Sequence, residues 1–125
     1  MVLELRSFED VEELLRRSRL VLLLVYDSGS PDGRYLSALL DDIAYTLEPV
    51  FAVAKLDAAE APDVAARYAR SMPRLMLFYK GKKVWEQIGF FYSSSSDRYA
   101  IRRGILYALM RLGLSPSSLG VRLSF

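Results

Sequence analysis

Apolar and polar positions alternate with two different periods along this chain, and the changes of period mark out its elements. Val2 to Leu5 alternates as a short strand. Ser7 or Asp10 caps a following helix that carries Phe8, Val11, Leu14 and Leu15 on one face, and Arg16, Arg17 and Arg19 at its end complement the helix dipole. Leu20 to Tyr26 is an unbroken run of leucine, valine and tyrosine, the pattern of a strand buried on both faces. The turn residues Asp27-Ser28-Gly29-Ser30-Pro31-Asp32-Gly33 end it. A long helix then starts between Pro31 and Arg34, holds Leu36, Leu39, Leu40, Ile43, Ala44 and Leu47 at helical spacing, and stops at Pro49.

The second half repeats this grammar. Val50 to Leu56 predicts another apolar strand, and Pro62 opens a short helix with Val64, Ala65 and Tyr68. Leu75 to Tyr79 and Lys83 to Ile88 flank Lys80-Gly81-Lys82, the pattern of a β-hairpin closed by a glycine-containing turn. After Gly89 come Phe90-Phe91-Tyr92 and the run Ser93 to Ser96; Asp97 is then expected to cap a last helix carrying Tyr99, Ile101, Ile105, Leu106, Leu109 and Met110, which Gly113 ends. The order βαβαβαββα predicts an α/β fold: one mixed sheet, parallel strands first and an antiparallel hairpin after them, with helices on both faces.

A chain of 125 residues has room for one domain, which would bury roughly 65% of the surface exposed when unfolded. Residues 1–113 are assigned to it and residues 114–125 to a C-terminal tail. Val121, Leu123 and Phe125 alternate there with Arg122 and Ser124, so the tail is either disordered or a strand along a sheet edge, its own or that of a second copy. An exchanged tail would make a homodimer.

Composition narrows the chemistry. The longest apolar run is far shorter than the ~20 residues of a membrane-spanning helix. Acidic Glu4 stands where a secretory leader would carry its basic region, and these features together predict a cytoplasmic protein. The 17 basic and 15 acidic side chains leave a formal charge of +2, too small to call for a nucleic-acid partner. Arg16-Arg17-Ser18-Arg19 and Lys80-Gly81-Lys82-Lys83 therefore read as solvated ends of a helix and a hairpin. Neither cysteine nor histidine is present, which excludes disulfides, thiolate nucleophiles and the commonest metal ligands. No cofactor or metal is expected. Asparagine is also missing and arginine far outnumbers lysine, a bias compatible with a hot or acidic habitat.

The element order, read with Ala54-Lys55-Leu56-Asp57, Pro62, Tyr68, Pro73, Gly81 and Gly89, resembles the thioredoxin-like family over residues 1–112. The segment Ser71-Met72-Pro73-Arg74-Leu75-Met76-Leu77-Phe78-Tyr79-Lys80-Gly81 resembles the family's Gly-Ile-Pro-Thr-Leu-Leu-Leu-Phe and glycine turn, although the loop from Tyr68 to Pro73 is one residue shorter. Counting back from Asp41-Asp42-Ile43-Ala44, similar to the family's Asp-Glu-Ile-Ala, lays Ser30-Pro31-Asp32-Gly33 over the redox motif Cys-Gly-Pro-Cys. Both sulfur positions are lost. Leu24 takes the place of the family's buried aspartate, Gly29 that of the tryptophan before the motif, and Ala38 that of a helix-kinking proline.

The resemblance implies a scaffold kept without its dithiol. Disulfide exchange needs a thiolate, so the chain is expected to be redox-inactive and not an enzyme. A hydrolase built on Ser30 would need a carboxylate base such as Asp27 or Asp32; the plainer reading is that Ser30 caps a helix, Pro31 fills its first turn and Asp32 complements its dipole. By the same resemblance Pro73 is expected to be cis, and the backbone of Met72 to pair with an extended polypeptide; the alternative is a proline that only shapes the chain. Three adjacent aromatics, Phe90, Phe91 and Tyr92, cannot all point inward; they either border the same groove or lie beneath the serine-rich loop. Arg74 offers a partner for a carboxylate. The expected role is thus a protein- or peptide-binding module using Ser30, Pro31, Asp32, Gly33, Met72, Pro73, Arg74, Phe90, Phe91 and Tyr92, with a homo-oligomeric assembly role as the alternative.

Overall fold

The computed structural model describes residues 1–125 and contains β1 (Leu3–Leu5), α1 (Phe8–Arg17), β2 (Leu20–Tyr26), α2 (Pro31–Leu47), β3 (Ala52–Asp57), α3 (Pro62–Tyr68), β4 (Arg74–Tyr79), β5 (Lys82–Gln87), α4 (Ser94–Arg111) and α5 (Pro116–Leu119). Five strands form one sheet in the order β1-β3-β2-β4-β5. β3 runs parallel to both β1 and β2, whereas β4 is antiparallel to β2 and β5. The α/β fold, with its mixed sheet, is the one the sequence pattern predicts.

β2 sits at the centre, and all seven of its residues are buried. Successive side chains of a strand point to opposite faces, so this apolar run feeds two cores at once. Leu20, Leu22, Leu24 and Tyr26 pack with the inner faces of α2 and α4, through residues such as Leu40, Ile43, Ile101 and Ile105. Val21, Leu23 and Val25 pack on the other side with Val11 and Leu14 of α1 and Ala65 of α3. Helices accordingly cover both faces.

Local signals start and stop the helices. Ser7, not Asp10, is the N-cap of α1: its Oγ accepts from the Asp10 amide at 3.0 Å while the Asp10 carboxylate accepts from the Ser7 amide at 3.2 Å. The adjacent Asp41 and Asp42 of α2 diverge, Asp41 reaching the buried Lys55 ammonium at 2.7 Å and Asp42 reaching Arg98 at 3.2 Å. No helix is long and apolar enough to cross a membrane.

Two expectations are corrected. α4 starts at Ser94 with Ser93 as N-cap, and Asp97 is not a cap at all. Its side chain turns inward and is fully buried, where the Tyr35 hydroxyl and the Phe91 amide donate to it at 2.8 Å each. Of the apolar residues assigned to the inner face of that helix, Ile101, Ile105 and Leu109 are buried, while Tyr99, Leu106 and Met110 face outward.

The tail packs on its own domain and forms no strand of this chain's sheet. Ser115 and Ser118 form a second capping box that sets up α5, and the chain then turns at Gly120 and buries Val121 in the core that α2 and α4 cover. Leu119, Leu123 and Phe125 pack partly buried against the same core. The strand-like alternation arises because every second side chain of an extended segment meets the domain without pairing to the sheet.

Gly104, mid-way along α4, has a packing reason. A Cβ there would stand 2.3 Å from the indole carbons of Trp85 on β5. Replacing an exposed helix glycine with alanine ordinarily stabilises by about 0.5–1 kcal/mol. Here Gly104→Ala is expected to lower the unfolding midpoint in urea, and Trp85→Leu in the same chain to recover part of the loss. A higher midpoint for Gly104→Ala alone would show that the indole gives way freely.

Candidate functional site

Three loops emerge at one end of the sheet, where β2 finishes and β4 begins. Arg74 lies opposite Val25 in the β2–β4 register, so Met72 and Pro73 enter beside the turn that follows Tyr26. The Phe90–Tyr92 loop follows β5 at the same end, since Gln87 pairs with Leu75.

The first loop closes on itself. Ser30 is the N-cap of α2, its Oγ accepting from the Gly33 amide at 3.0 Å, and Pro31 fills the first turn. The Ser30 amide donates to the Asp27 carbonyl at 3.1 Å, and the Gly29 amide donates to the Asp27 carboxylate at 2.8 Å. From β3, Asp57 accepts from the Ser28 amide at 3.0 Å. Burial acts to raise the Asp57 carboxyl, but the hydrogen bonds from Ser28 and Ala59 prevail and hold it below the usual carboxylate range.

Gly33 is buried where these bonds converge. A Cβ at Gly33 would stand 2.1 Å from the Asp27 carbonyl oxygen, so the turn occupies the space in which any side chain at this position would start. Asp32 is exposed on the first turn of α2, and Ser30 is used as a cap.

In the second loop the Met72–Pro73 peptide bond is cis, as is Glu48–Pro49. Met72 is 40% exposed, and neither its N–H nor its C=O enters a backbone hydrogen bond of the chain. Arg74 is not the free partner that the sequence suggested. Its guanidinium is mostly buried, pairs with Glu86 at 3.3 Å and reaches the Ser71 hydroxyl at 3.1 Å, while Lys83 shares Glu86 at 3.1 Å. The β4–β5 pairing brings Glu86 beside it, which no local sequence signal announces.

The aromatic residues divide three ways. Phe90 turns inward and, with Leu24, Leu36, Leu75 and Ile101, lines a small apolar space under the site. Phe91 is 69% exposed, and the serine-rich run does not cover it, being taken up in the start of α4. Tyr92 adopts φ +59 and sets its ring 5.8 Å from Tyr35 and 6.4 Å from Phe90. Burial first, then the charges of Asp32 and Asp97, push its phenol above its ordinary value, and its ring contact with Tyr35 sets this loop against α2.

Sequence reasoning missed the pair that fixes the aromatic loop, Tyr35 and Asp97. The Asp97 carboxylate holds Phe91 through its amide and α2 through Tyr35. Leu24, expected in place of a buried aspartate, is buried; across from it in register lies Lys55, whose ammonium is taken by Asp41. The carboxylate buried at this end therefore comes from α4 and not from β2.

Comparisons with known proteins agree with this architecture. No family model matches the chain. A thioredoxin of Rickettsia bellii is 30% identical over 91 residues, covering 72% of this chain and 85% of that protein. One from Pyropia yezoensis is 39% identical over 79 residues, covering 62% and 74%. Among solved structures, Fasciola hepatica thioredoxin superposes with a TM-score of 0.67 at 23% identity, over 82% of this chain and 99% of that one. A mutant thioredoxin of Halobacterium salinarum gives 0.65 at 23% identity, over 82% and 88%. These matches correct the expectation that the chain is not an enzyme, because its relatives bear the name of an oxidoreductase family. The chain itself brings no cysteine to that family's dithiol step.

Two outcomes follow from the geometry. Burial, followed by the Asp97 hydrogen bond and charge, pushes the Tyr35 phenol from 10.0 up to about 12. Folding raises this pKa, so its contribution to stability is complete below pH 10.0 and lost as pH rises towards 12. Tyr26, Tyr68 and Tyr92 shift in the same direction. In urea titrations Tyr35→Phe is expected to lose about 1.5–3 kcal/mol near neutrality, the worth of a hydrogen bond to a carboxylate, but to decline less steeply than wild type over that alkaline window. Parallel declines would remove Tyr35 from the alkaline response. A double variant, Ser30→Cys with Gly33→Cys, is expected to melt below wild type and to show no intramolecular disulfide by mass spectrometry after mild oxidation. A stable cross-linked product would mean that the Asp27 turn moves aside.

Proposed function

Because the chain belongs to the thioredoxin family, we propose that it binds extended polypeptide along the surface of Ser30–Gly33, Met72–Arg74 and Phe90–Tyr92, without a dithiol of its own. The observation that carries this reading is the unpaired backbone of Met72, itself exposed, at the end of the sheet where Phe91 and Tyr92 are also exposed. A peptide laid along that edge adds a strand through main-chain hydrogen bonds, which require no sulfur. Phe91, Tyr92 and Met72 supply apolar contact area of the kind that dominates binding energy at interfaces. Asp32 is exposed on the same surface, whereas Arg74 is neutralised by Glu86, so the preferred segment carries an apolar anchor flanked by a basic residue.

Peptides selected from a cysteine-free display library on the wild-type protein provide the probe. Phe91 is solvent-facing, so Phe91→Glu leaves the cores intact, which its melting curve verifies. Anisotropy titration is expected to show peptide affinity falling at least about tenfold in Phe91→Glu, equivalent to about 1.4 kcal/mol. Unchanged affinity would move the peptide to another surface, and a library yielding no binder would sink the proposal.

A further inference from the structure

The opposite end of the sheet carries a different chemistry. There the end of α1, the start of β2 and the β4–β5 turn enclose an open cavity of about 740 Å³ whose lining includes Arg16, Arg17, Arg19 and Lys80. The two basic segments, some sixty positions apart in sequence, are joined by a hydrogen bond in which the Lys80 amide donates to the Arg19 carbonyl at 2.8 Å. The two segments are therefore held side by side by the backbone, and both border the same cavity.

One carboxylate, Glu12, lines the cavity and accepts from the Tyr68 hydroxyl at 2.8 Å, so four cations face one acidic side chain there; Glu13 touches Arg17 only at 3.9 Å on the exposed surface. Arg16, Arg19 and Lys80, and Lys82 next to the lining residue Gly81 in sequence, have no carboxylate within salt-bridge distance. The C-terminal end of α1 contributes roughly half a negative charge, which one of these cations offsets. A local excess of positive charge remains on a chain whose formal total is only +2.

The lining also limits the occupant. Leu15 is its one apolar side chain, so no anchor for a bilayer is present. The Tyr79 ring nearby is occupied by the Lys80 ammonium, 5.2 Å from its centroid, leaving no free platform for stacking bases. Cations converging on a concavity suit an anion with several charges close together.

The geometry points to a binding site for a small anion bearing a di- or triphosphate chain, held by Arg16, Arg19 and Lys80 at the end of the sheet remote from the peptide surface. Isothermal titration of the full chain with inorganic tripolyphosphate, magnesium-free ATP and a single-stranded RNA 20-mer tests it, each at about 0.1 M salt, where exposed charges further apart than ~10 Å are screened. Tripolyphosphate is expected to bind, and the exposed pair Arg16→Gln with Arg19→Gln to weaken it at least about tenfold, with the free protein still unfolding in one cooperative transition and its melting temperature lowered only slightly by the lost dipole complement at the end of α1. Arg122→Glu, a charge reversal on the tail, is expected to leave affinity unchanged. Equal affinity for tripolyphosphate and ATP assigns recognition to the phosphate chain alone; tighter binding of ATP gives the nucleoside a share. No binding, equal weakening by Arg122→Glu, or RNA bound more tightly than tripolyphosphate would overturn the assignment.

Discussion

Burial of β2 on both faces is the constraint from which most of the structure follows. Each leucine or valine moved from water into a core contributes about 1.5–3 kcal/mol, and β2 supplies such residues alternately to the two sides of the sheet. Satisfying one face alone would leave the other row in water. α2 and α4 must therefore cover one side and α1 and α3 the other, and the backbone of β2 must have a strand on each flank. β3 and β4 fill those places, one parallel and one antiparallel, so β2 ends and β4 begins at the same edge. That edge is where the candidate peptide surface lies.

At that edge polar contacts replace one another in a consistent way. With Leu24 on β2, the space beneath the loops is apolar and closed by Phe90. A buried carboxylate is nevertheless present, because Asp97 reaches in from α4 and accepts two hydrogen bonds. A buried carboxylate left without such donors would be strongly destabilising, so Tyr35 and the Phe91 amide are needed where they stand. The consequence is a fixed loop: Phe90 is drawn inward, and Phe91 is left facing solvent with its amide anchored. Gly33 lets the Asp27 turn settle directly over the start of α2, which fills the place of a side chain with backbone.

The fold was legible because its signals are local or periodic. The apolar run of β2, the Ser7 cap, Pro31 and Pro62 at helix starts and the Lys80-Gly81 turn each act within a few residues. The site was legible only in part. The three segments named from the sequence do lie at one end of the sheet, but Arg74 was read as free because Glu86, its partner, is brought by strand pairing, and Asp97 was read as a cap because an aspartate after serines at a helix start looks the same whether it faces the helix or the core. The tail misled for a related reason: alternation records which side chains are buried, and an extended segment packed on a helical layer buries every second residue just as a strand does.

The two ends of the sheet also divide the charge. Asp27, Asp32 and Asp57 gather where β2 and β3 finish, while Arg16, Arg19, Lys80 and Lys82 gather where β2 starts and β4 finishes. A total of +2 conceals this grouping, even though Arg34 and Arg74 stand among the carboxylates of the first end and Glu12 among the cations of the second. Screening in salt is strong beyond about 10 Å, whereas the sheet is longer than that: seven residues of β2 at ~3.3 Å each span about 20 Å. A charged ligand therefore meets the field of one end, not the average of both. Net charge bounds the behaviour of a chain whose charges are mixed evenly; where a strand keeps them a Debye length or more apart, each end must be judged by its own residues.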